Sequence, residues 1–221
     1  RSNIDNIKDG YIYPYDAQRS DTCIPEKFML NNKNGIFIGL YLSEGHVNDS
    51  CISITNNNTN IIDFVKEWFE GFNIHYKVYC TKNKIGTSTT ITGNSIIMST
   101  FLKNICGVGS ANKFVPNDAF ISSTDFIKGL LNGYFSGDGY ISKNSVEASS
   151  ASKRLIEGIN MLCSRLGIFG KVFTTILKSN NLNTQNILPA NRISIRAQWG
   201  KLFAQNIDLI EEEKNEKLQK K

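Results

Sequence analysis

GLYLSEGHV, residues Gly39 to Val47, reads as the end of an apolar helix that places an acid in its last turn. Gly45 stands where helices commonly stop at a left-handed glycine, and Glu44 directly precedes it. A helix C-terminus carries partial negative charge, so a carboxylate there is mildly unfavourable and a cation is expected. The placement of Glu44 therefore needs an explanation that this helix alone does not provide.

The same pattern occurs a second time in LLNGYFSGDGYI, Leu130 to Ile141, where Asp138 precedes a closing glycine. The offset of 94 residues between Glu44 and Asp138 also aligns NIHYKVY, Asn73 to Tyr79, with GIFGKVF, Gly167 to Phe173. Two matches at one offset indicate an internal duplication.

A third match indicates an insertion in the second copy. FLKNI, Phe101 to Ile105, resembles FAQNI, Phe203 to Ile207, at an offset of 102, which is eight more than for the other matches. We expect the extra residues in the polar stretch KSNNLNTQNILPAN, Lys178 to Asn191, as a long hairpin loop.

Each copy has the same predicted order of elements. A helix ends at the acidic motif, a short alternating strand follows, and an amphipathic helix, a two-stranded hairpin and a final helix complete the copy. The pattern predicts an α+β fold of two repeats with antiparallel sheets. We place the repeats at residues 34–120 and 121–221, after a loosely structured lead-in over residues 1–33.

Composition bounds the class of protein. The chain has 221 residues, a formal net charge of +5 and enough apolar residues for a packed core. Its five cysteines contain no C-x-x-C pair, which argues against a disulfide framework or a zinc site. No apolar run approaches the ~20 residues of a membrane span. We therefore expect a soluble intracellular protein, and the start at Arg1 indicates a fragment or a processed product.

Each motif helix carries two small residues four positions apart, Gly39 with Ser43 and Gly133 with Gly137. Glycine inside a helix costs about 1 kcal/mol relative to alanine, so its repetition at equivalent positions requires a reason. Residues four apart share a face, and small side chains allow two helix backbones to approach closely. We therefore predict that the two motif helices pack together as the central interface.

This packing would bring Glu44 and Asp138 together at the floor between two sheets. Two carboxylates repel each other unless a cation lies between them, and oxygen ligands suit Mg²⁺. An ordinary turn is the competing interpretation around Asp138, because GDG is a common turn tripeptide. The duplication, with both acids at glycine-closed helix ends, favours the metal site.

The two motifs resemble those of a known family. FIGLYLSEG, Phe37 to Gly45, and LNGYFSGDG, Leu131 to Gly139, are similar to the motifs of LAGLIDADG homing endonucleases in their two-repeat, single-chain form. SANKFVP, Ser110 to Pro116, resembles a lysine-containing block of the intein-type members, which favours an intein origin over an intron.

The lysine of that block matches Lys113. In the second repeat the equivalent place contains Lys214 and Lys217, and we favour Lys214, although the match requires a one-residue shift. The resemblance implies that Glu44 and Asp138 bind Mg²⁺ and that each serves one DNA strand. Lys113 and Lys214 would stabilise the charge on the phosphate or assist the attacking water.

The resemblance also implies a pseudo-twofold saddle of two αββαββα repeats, whose curved antiparallel sheets lie over the DNA major groove. A monomer would make a staggered double-strand break in a long target site. Glutamate at position 44 and serine at position 43 depart from the commoner aspartate and alanine. Neither change removes the acid or the small side chain, so the implied chemistry stands.

Strand alternation predicts which side chains face the DNA. In NIHYKVY, Ile74, Tyr76 and Val78 should face the helices, and the alternate residues should face the groove. The predicted DNA-facing residues are Ser53, Thr55, His75, Lys77, Tyr79, Ser88, Thr90, Thr92, Glu147, Ser149, Lys171, Thr175, Arg192, Ser194 and Arg196. Such hydrogen-bonding and basic side chains suit base edges and phosphates, although alternation alone describes any half-exposed sheet.

Two other functions are compatible with the same fold. An RNA maturase needs a basic surface but not the acids. A DNA-binding regulator derived from a decayed nuclease would have lost at least one acid. The retention of both Glu44 and Asp138 favours the endonuclease.

Overall fold

The structure is a computed structural model that describes residues 4–14, 23–83, 86–177 and 188–221. Three short strands come first: β1 (Ile4–Lys8), β2 (Tyr11–Pro14) and β3 (Ile24–Pro25). The first repeat contains α1 (Asn32–Glu44), β4 (Gly45–Val47), β5 (Cys51–Thr55), α2 (Thr59–Gly71), β6 (Tyr76–Asn83), β7 (Gly86–Asn94) and α3 (Ile96–Cys106). A short 3-10 helix (Asn117–Ile121) leads to the second repeat, α4 (Thr124–Asp138), β8 (Gly139–Ile141), β9 (Ser145–Ser150), α5 (Lys153–Arg165), β10 (Lys171–Leu177), β11 (Leu188–Arg196) and α6 (Gln198–Asn206). Helix α7 (Glu212–Gln219) follows.

Each repeat builds one four-stranded antiparallel sheet, in the order β4-β5-β7-β6 and β8-β9-β11-β10. The inner faces carry buried residues such as Ile54, Ile91, Val146 and Ile193, which belong to one continuous core with the helices. The α+β prediction with two αββαββα repeats is confirmed.

The ends of the two motif helices differ from the prediction. Gly45 and Gly139 have φ values of −83° and −72° and lie in extended backbone, not in the left-handed region. The chain therefore passes directly from each helix into β4 or β8. Glycine is needed for space, because a Cβ on Gly45 would lie 2.6 Å from Tyr41 Cα, and one on Gly139 would lie 2.9 Å from Phe135 Cα.

The prediction of a loosely structured lead-in over residues 1–33 is wrong for its described part. Strands β1, β2 and β3 form a third antiparallel sheet. Ile24 is buried in the core, and Phe28 packs beside Trp68 with ring centroids 6.5 Å apart. These strands are too short for a clear alternation of polar and apolar residues, and their stability comes from packing on the first repeat.

The hairpin of the second repeat forms as predicted, with Lys171 opposite Ser194 in an antiparallel register. Residues 178–187 of the expected insertion lie outside the described residues, and residues 188–191 belong to β11. Within the described ranges, every helix is too short or too polar to cross a membrane.

Candidate active site at the paired helix ends

Helices α1 and α4 pack with their backbones in close approach, as the small residues predict. A Cβ on Gly39 would lie 2.5 Å from the backbone N of Tyr134. A Cβ on Gly133 would lie 2.9 Å from the backbone N of Leu40. No side chain larger than hydrogen fits at these positions without separating the helices.

The predicted interface continues further toward the N-termini than the sequence analysis proposed. A Cβ on Gly35 would lie 2.9 Å from Leu130 N, and a Cβ on Gly129 would meet the backbone of Asn32. Both glycines precede the predicted ones by four positions. The same spacing argument would have found them.

The packing brings the two motif acids to the same place. Gly137 faces Ser43 and Glu44, since a Cβ there would lie 2.7 Å from Ser43 Cβ and 3.0 Å from Glu44 Cγ. Asp138 is the next residue along α4. Glu44 is half-buried and accepts a hydrogen bond of 3.0 Å from Asn56 Nδ2, whereas Asp138 is exposed to solvent.

Asn56 was not among the predicted site residues. It lies in the polar run NNNTN after β5, which reads as an ordinary loop. Only the sheet geometry brings its amide to Glu44, so no local sequence signal could have identified it.

Lys113 lies at the end of α1, almost completely buried with 5% of its surface exposed. Its Nζ donates hydrogen bonds to the carbonyl oxygens of Tyr41 (2.7 Å), Leu42 (3.2 Å) and Gly45 (2.6 Å). The Tyr41 carbonyl also accepts the Gly45 N–H, whereas Leu42 lies in the last turn, where the helix itself leaves carbonyls without partners. The cation that a helix C-terminus favours is therefore supplied from outside the helix.

Lys214 has the corresponding position at the end of α4. Its Nζ donates to the carbonyl oxygens of Ser136 (2.6 Å) and Gly137 (2.7 Å). Lys217, the alternative, is exposed, and none of its described contacts reaches α4. The structure thus places Lys214, and not Lys217, beside the second acid.

The chain before α7 is tied to α4 by hydrogen bonds that the sequence analysis missed. Asn132 Oδ1 accepts from Ile210 N at 2.9 Å, and Ser136 Oγ accepts from the same N–H at 3.1 Å. Asn132 and Ser136 are buried polar residues on α4. They hold Lys214 at the helix end by fixing the segment that precedes it.

Burial and mutual repulsion change the pKa values of the four charged groups. Burial, followed by the negative charge of Glu44, raises the pKa of Asp138 to about 7, although part of this side chain is open to solvent. Burial also raises the pKa of Glu44, and the hydrogen bond from Asn56 opposes this. Asp138 therefore takes up a proton or another cation near neutral pH, and Glu44 also binds a proton more readily than a free glutamate does.

The lysines respond in the opposite direction. Burial lowers the pKa of Lys113 to about 8, and the charge of Asp138 opposes this. Burial also lowers the pKa of Lys214, and the negative charge of Glu211 is the largest effect that opposes this decrease. Each lysine interacts electrostatically with both acids, so the four groups form one coupled cluster.

The donor set is suited to a weakly held divalent cation. Among the described residues, no group of three or more His, Cys, Asp and Glu side chains could hold a metal ion. The two carboxylates remain as oxygen ligands, and Mg²⁺ is commonly held by one or two carboxylates with water and phosphate oxygens completing its shell. Glu44 and Asp138 would be the protein ligands.

The first sheet presents a polar outer face, as predicted. Lys77, Thr92, Ser53 and His46 lie side by side across its strands. His75, Lys77 and Tyr79 are exposed; Ser53 bonds to Thr92 at 2.9 Å and Thr55 to Thr90 at 2.8 Å. His46 was missed, although it alternates with the buried Val47 in β4.

One residue of β6 does not follow the predicted alternation. Ile74 is buried and Tyr76 packs on Phe69, with ring centroids 6.1 Å apart, as predicted. Val78, however, is 42% exposed. β6 is the edge strand of its sheet, so a neighbouring strand covers Val78 on one side only.

The outer face of the second sheet has an ion pair between Arg196 and Glu147. Lys171 and Arg196 are exposed, and Arg192 is partly buried. Ser194 differs from the prediction because it is 4% exposed, donates to Glu147 Oε1 at 3.0 Å and accepts from Arg196 Nε at 3.0 Å. It lies on the predicted face but is covered by its neighbours.

Comparison with known proteins gives a consistent result. The sequence matches the family profile described as a LAGLIDADG-like domain over residues 31–107 and 125–200. The DNA-directed RNA polymerase subunit Rpo1C of Methanocaldococcus jannaschii is 29% identical over 199 residues, which are 89% of this chain and 22% of that protein. The chain thus spans about a fifth of the length of this curated relative.

Two solved structures share the fold. I-DmoI in complex with DNA and Ca has a TM-score of 0.59 and 12% identity, covering 81% of this chain and 90% of that one. The homing endonuclease I-WcaI bound to its DNA recognition sequence has a TM-score of 0.55 and 16% identity, covering 87% and 88%. At these identities the likeness concerns the fold alone.

Proposed function

Since this chain belongs to the LAGLIDADG family, we propose that it is a site-specific DNA endonuclease that cuts both strands of a long double-stranded target as a monomer. The product would have staggered ends. The observation that carries the proposal is the meeting of Glu44 and Asp138 at adjoining helix ends, each with a lysine that donates to the carbonyls of that end.

We expect the two acids to be more stable with a divalent metal bound between them than without one. Burial disfavours the ionised form of both acids, and the charge of Glu44 adds to this for Asp138; a cation between them relieves both effects. We propose Mg²⁺, because its oxygen ligands would be these carboxylates. When bound, the metal would supply a Lewis acid for phosphodiester hydrolysis. I-DmoI, which shares the fold, has been crystallised with DNA and Ca and with DNA and Mn.

The two lysines would have different roles. All three N–H groups of the Lys113 ammonium have backbone acceptors, so this lysine positions the end of α1 and neutralises its charge. Lys214 donates two described hydrogen bonds, which leaves one N–H group that could reach a phosphate oxygen. We therefore propose Lys214 as a catalytic residue and Lys113 as a positioning residue.

The outer faces of the two sheets would bind the DNA. Lys77, Lys171 and Arg196 are exposed cations that would contact phosphates, while Tyr79, His75 and His46 offer polar groups to base edges. The hydroxyl pair Thr55–Thr90 bonds internally at 2.8 Å and still leaves lone pairs for DNA contacts.

We further propose that the chain is an inserted endonuclease of the intein type. The block around Lys113 supports this, and so does the small share of the Methanocaldococcus jannaschii relative that it spans. Neither an RNA maturase nor a regulator explains why two acids are kept at the cost of mutual repulsion.

The direct test is cleavage of a host-gene copy that lacks the inserted coding sequence. The protein is incubated with a plasmid carrying that uninterrupted junction, in Mg²⁺ or in EDTA. Linear product in Mg²⁺ and intact plasmid in EDTA are expected. An intact plasmid in both, with a pool of randomised target plasmids also uncut, would overturn the proposal.

A further inference from the structure

The sheet strands beside Asp138 and those beside Glu44 carry different side chains at equivalent positions. In the second repeat Gly139 pairs with Ala148, and the next residue of β9, Ser149, pairs with Arg192. This register places Arg192 in the row of residues that crosses the sheet beside Asp138. In the first repeat Thr55 pairs with Thr90, which is the positional counterpart of Arg192.

In the first repeat, the polar side chains of the equivalent row form hydrogen bonds within the protein. The Thr55 and Thr90 hydroxyls bond to each other at 2.8 Å, and Glu44 accepts from Asn56 at 3.0 Å. No cationic side chain stands at the counterpart position. At the Glu44 end, each of these side chains therefore already has a hydrogen-bond partner within the protein.

In the second repeat a buried donor lacks an acceptor. Arg192 Nε is shielded from solvent and has no hydrogen-bond partner among the described residues. The nearby acid Glu147 is bound elsewhere, since it accepts from Ser194 at 3.0 Å and lies 3.6 Å from Arg196 Nη2. An unpaired buried guanidinium donor costs free energy, so an anionic ligand is expected to complete it.

A cavity next to the acid provides the space for that ligand. It measures about 210 Å³ and is lined by Asp138, Tyr140, Glu147, Ala148, Ser149 and Arg192. Asp138 and Arg192 thus share one cavity with opposite charges. An anion bound there would have the arginine on one side and the acid, with its metal, on the other.

We propose that Arg192 binds the phosphodiester group that is cut at the Asp138 end, by donating hydrogen bonds to its non-bridging oxygens. Arginine is suited to this because its planar guanidinium presents paired donors to phosphate. The inference rests on the proposed endonuclease function. Because Thr90 replaces the arginine at the Glu44 end, only one of the two strands receives this contact, and the two strands are cut unequally.

The test follows each strand of the target separately. The duplex carries a different fluorophore on each strand, and Asp138→Asn identifies the strand that depends on Asp138. Arg192→Gln should slow cleavage of that strand about 10²-fold, the usual effect of losing one preorganised donor, and slow the other less than threefold. Arg192→Lys, which keeps the charge, should recover part of the rate.

The matched control removes a cation from elsewhere. Arg154 on α5 is exposed and lies over the Phe114 ring, 3.9 Å from its centroid. Arg154→Gln makes the same change in net charge and should leave both strand rates unchanged. Equal slowing of both strands by Arg192→Gln, or slowing of neither, would overturn the inference while wild-type cleavage still supports the proposed function.

A binding measurement checks the same inference without cleavage. In EDTA, the affinity of the protein for the labelled duplex is measured over a range of salt concentrations. Arg192→Gln should reduce the slope of log affinity against log salt by about 1, the effect of one lost phosphate contact. An unchanged slope would contradict the contact even if the variant proved less stable.

Discussion

Lys113 Nζ lies 2.7 Å from the carbonyl oxygen of Tyr41, inside the fold and at the end of the helix that carries Glu44. This contact explains how an acid is tolerated in the last turn of α1. The lysine donates hydrogen bonds to the carbonyls of the helix end and supplies the positive charge that this end favours. Lys214 repeats the arrangement at Asp138.

Replacing Lys113 by Met should destabilise the protein by about 3 kcal/mol, because the carbonyl oxygens of Tyr41, Leu42 and Gly45 each lose one hydrogen bond inside the fold. Urea unfolding followed by circular dichroism measures this free energy. Lys103→Met is the control, since Lys103 forms a 2.6 Å ion pair with the exposed Asp49 and its loss should cost much less than the loss of Lys113. Equal losses for the two variants would show that Lys113 has no special structural role.

Adding one methyl group between the motif helices should be costly. Gly133→Ala places a Cβ 2.9 Å from the Leu40 backbone N and should destabilise the fold by about 3 kcal/mol. Gly71→Ala at the end of α2 meets no atom within 4 Å and should stabilise by up to about 1 kcal/mol. Thermal unfolding of both variants measures the contrast, and a Gly133→Ala protein as stable as wild type would refute the close packing.

Divalent metal binding should weaken below neutral pH. Because the pKa of Asp138 is raised to about 7, protons compete with the metal, and affinity should fall by up to about tenfold per pH unit below that value. Mn²⁺ binding followed by electron paramagnetic resonance at pH 6, 7 and 8 measures the trend. Asp138→Asn should abolish this pH dependence along with most of the affinity, whereas a pH-independent wild type would count against the metal site.

The metal-free protein should lose stability as the pH rises through the same range. The pKa of Asp138 is higher in the folded state than in the unfolded state, so the folded state binds more protons between about pH 4 and 7. This proton binding contributes to the free energy of unfolding at low pH, and the contribution is lost as the pH rises through the folded pKa. Asp138→Asn removes this effect. In EDTA, the melting temperature of Asp138→Asn relative to wild type should therefore increase from pH 5 to pH 8.

A surface acid serves as the control for this pH series. Asp118 is exposed in the 3-10 helix, away from the paired helix ends. Asp118→Asn makes the same change of side chain outside the coupled cluster and should not reproduce the rise in relative melting temperature expected for Asp138→Asn. A flat difference for Asp138→Asn would contradict the coupling of the two acids.

The central part of the molecule could be predicted because its constraints repeat in the sequence. The offset of 94 residues and the spacing of Gly39 and Gly133 identify the motif helices and their packing. Glu44 and Asp138 then follow as a pair. The closing glycines were recognised for the wrong reason, since lack of space for a Cβ, and not a left-handed φ, requires them.

The features that the sequence did not reveal depend on contacts between distant segments. Asn56 reaches Glu44 only through the folding of β5 onto the end of α1, and Ser194 is covered only because Arg196 and Glu147 lie above it. Strand alternation assigns a side chain to a face but does not show whether a neighbour covers it. The unpaired Nε of Arg192 is likewise visible only in three dimensions.

The most direct measurement is double-strand cleavage of the target by wild type, Glu44→Gln and Asp138→Asn in Mg²⁺, with binding measured on the same duplex. Each substitution should lower the rate of double-strand cleavage at least about 10²-fold, because one strand loses its metal ligand. Binding in EDTA should be equal to or tighter than that of wild type, since a repelling charge is removed near the phosphates. Cleavage at the wild-type rate by either variant would contradict the assignment of Glu44 and Asp138 as the paired acids of the active site.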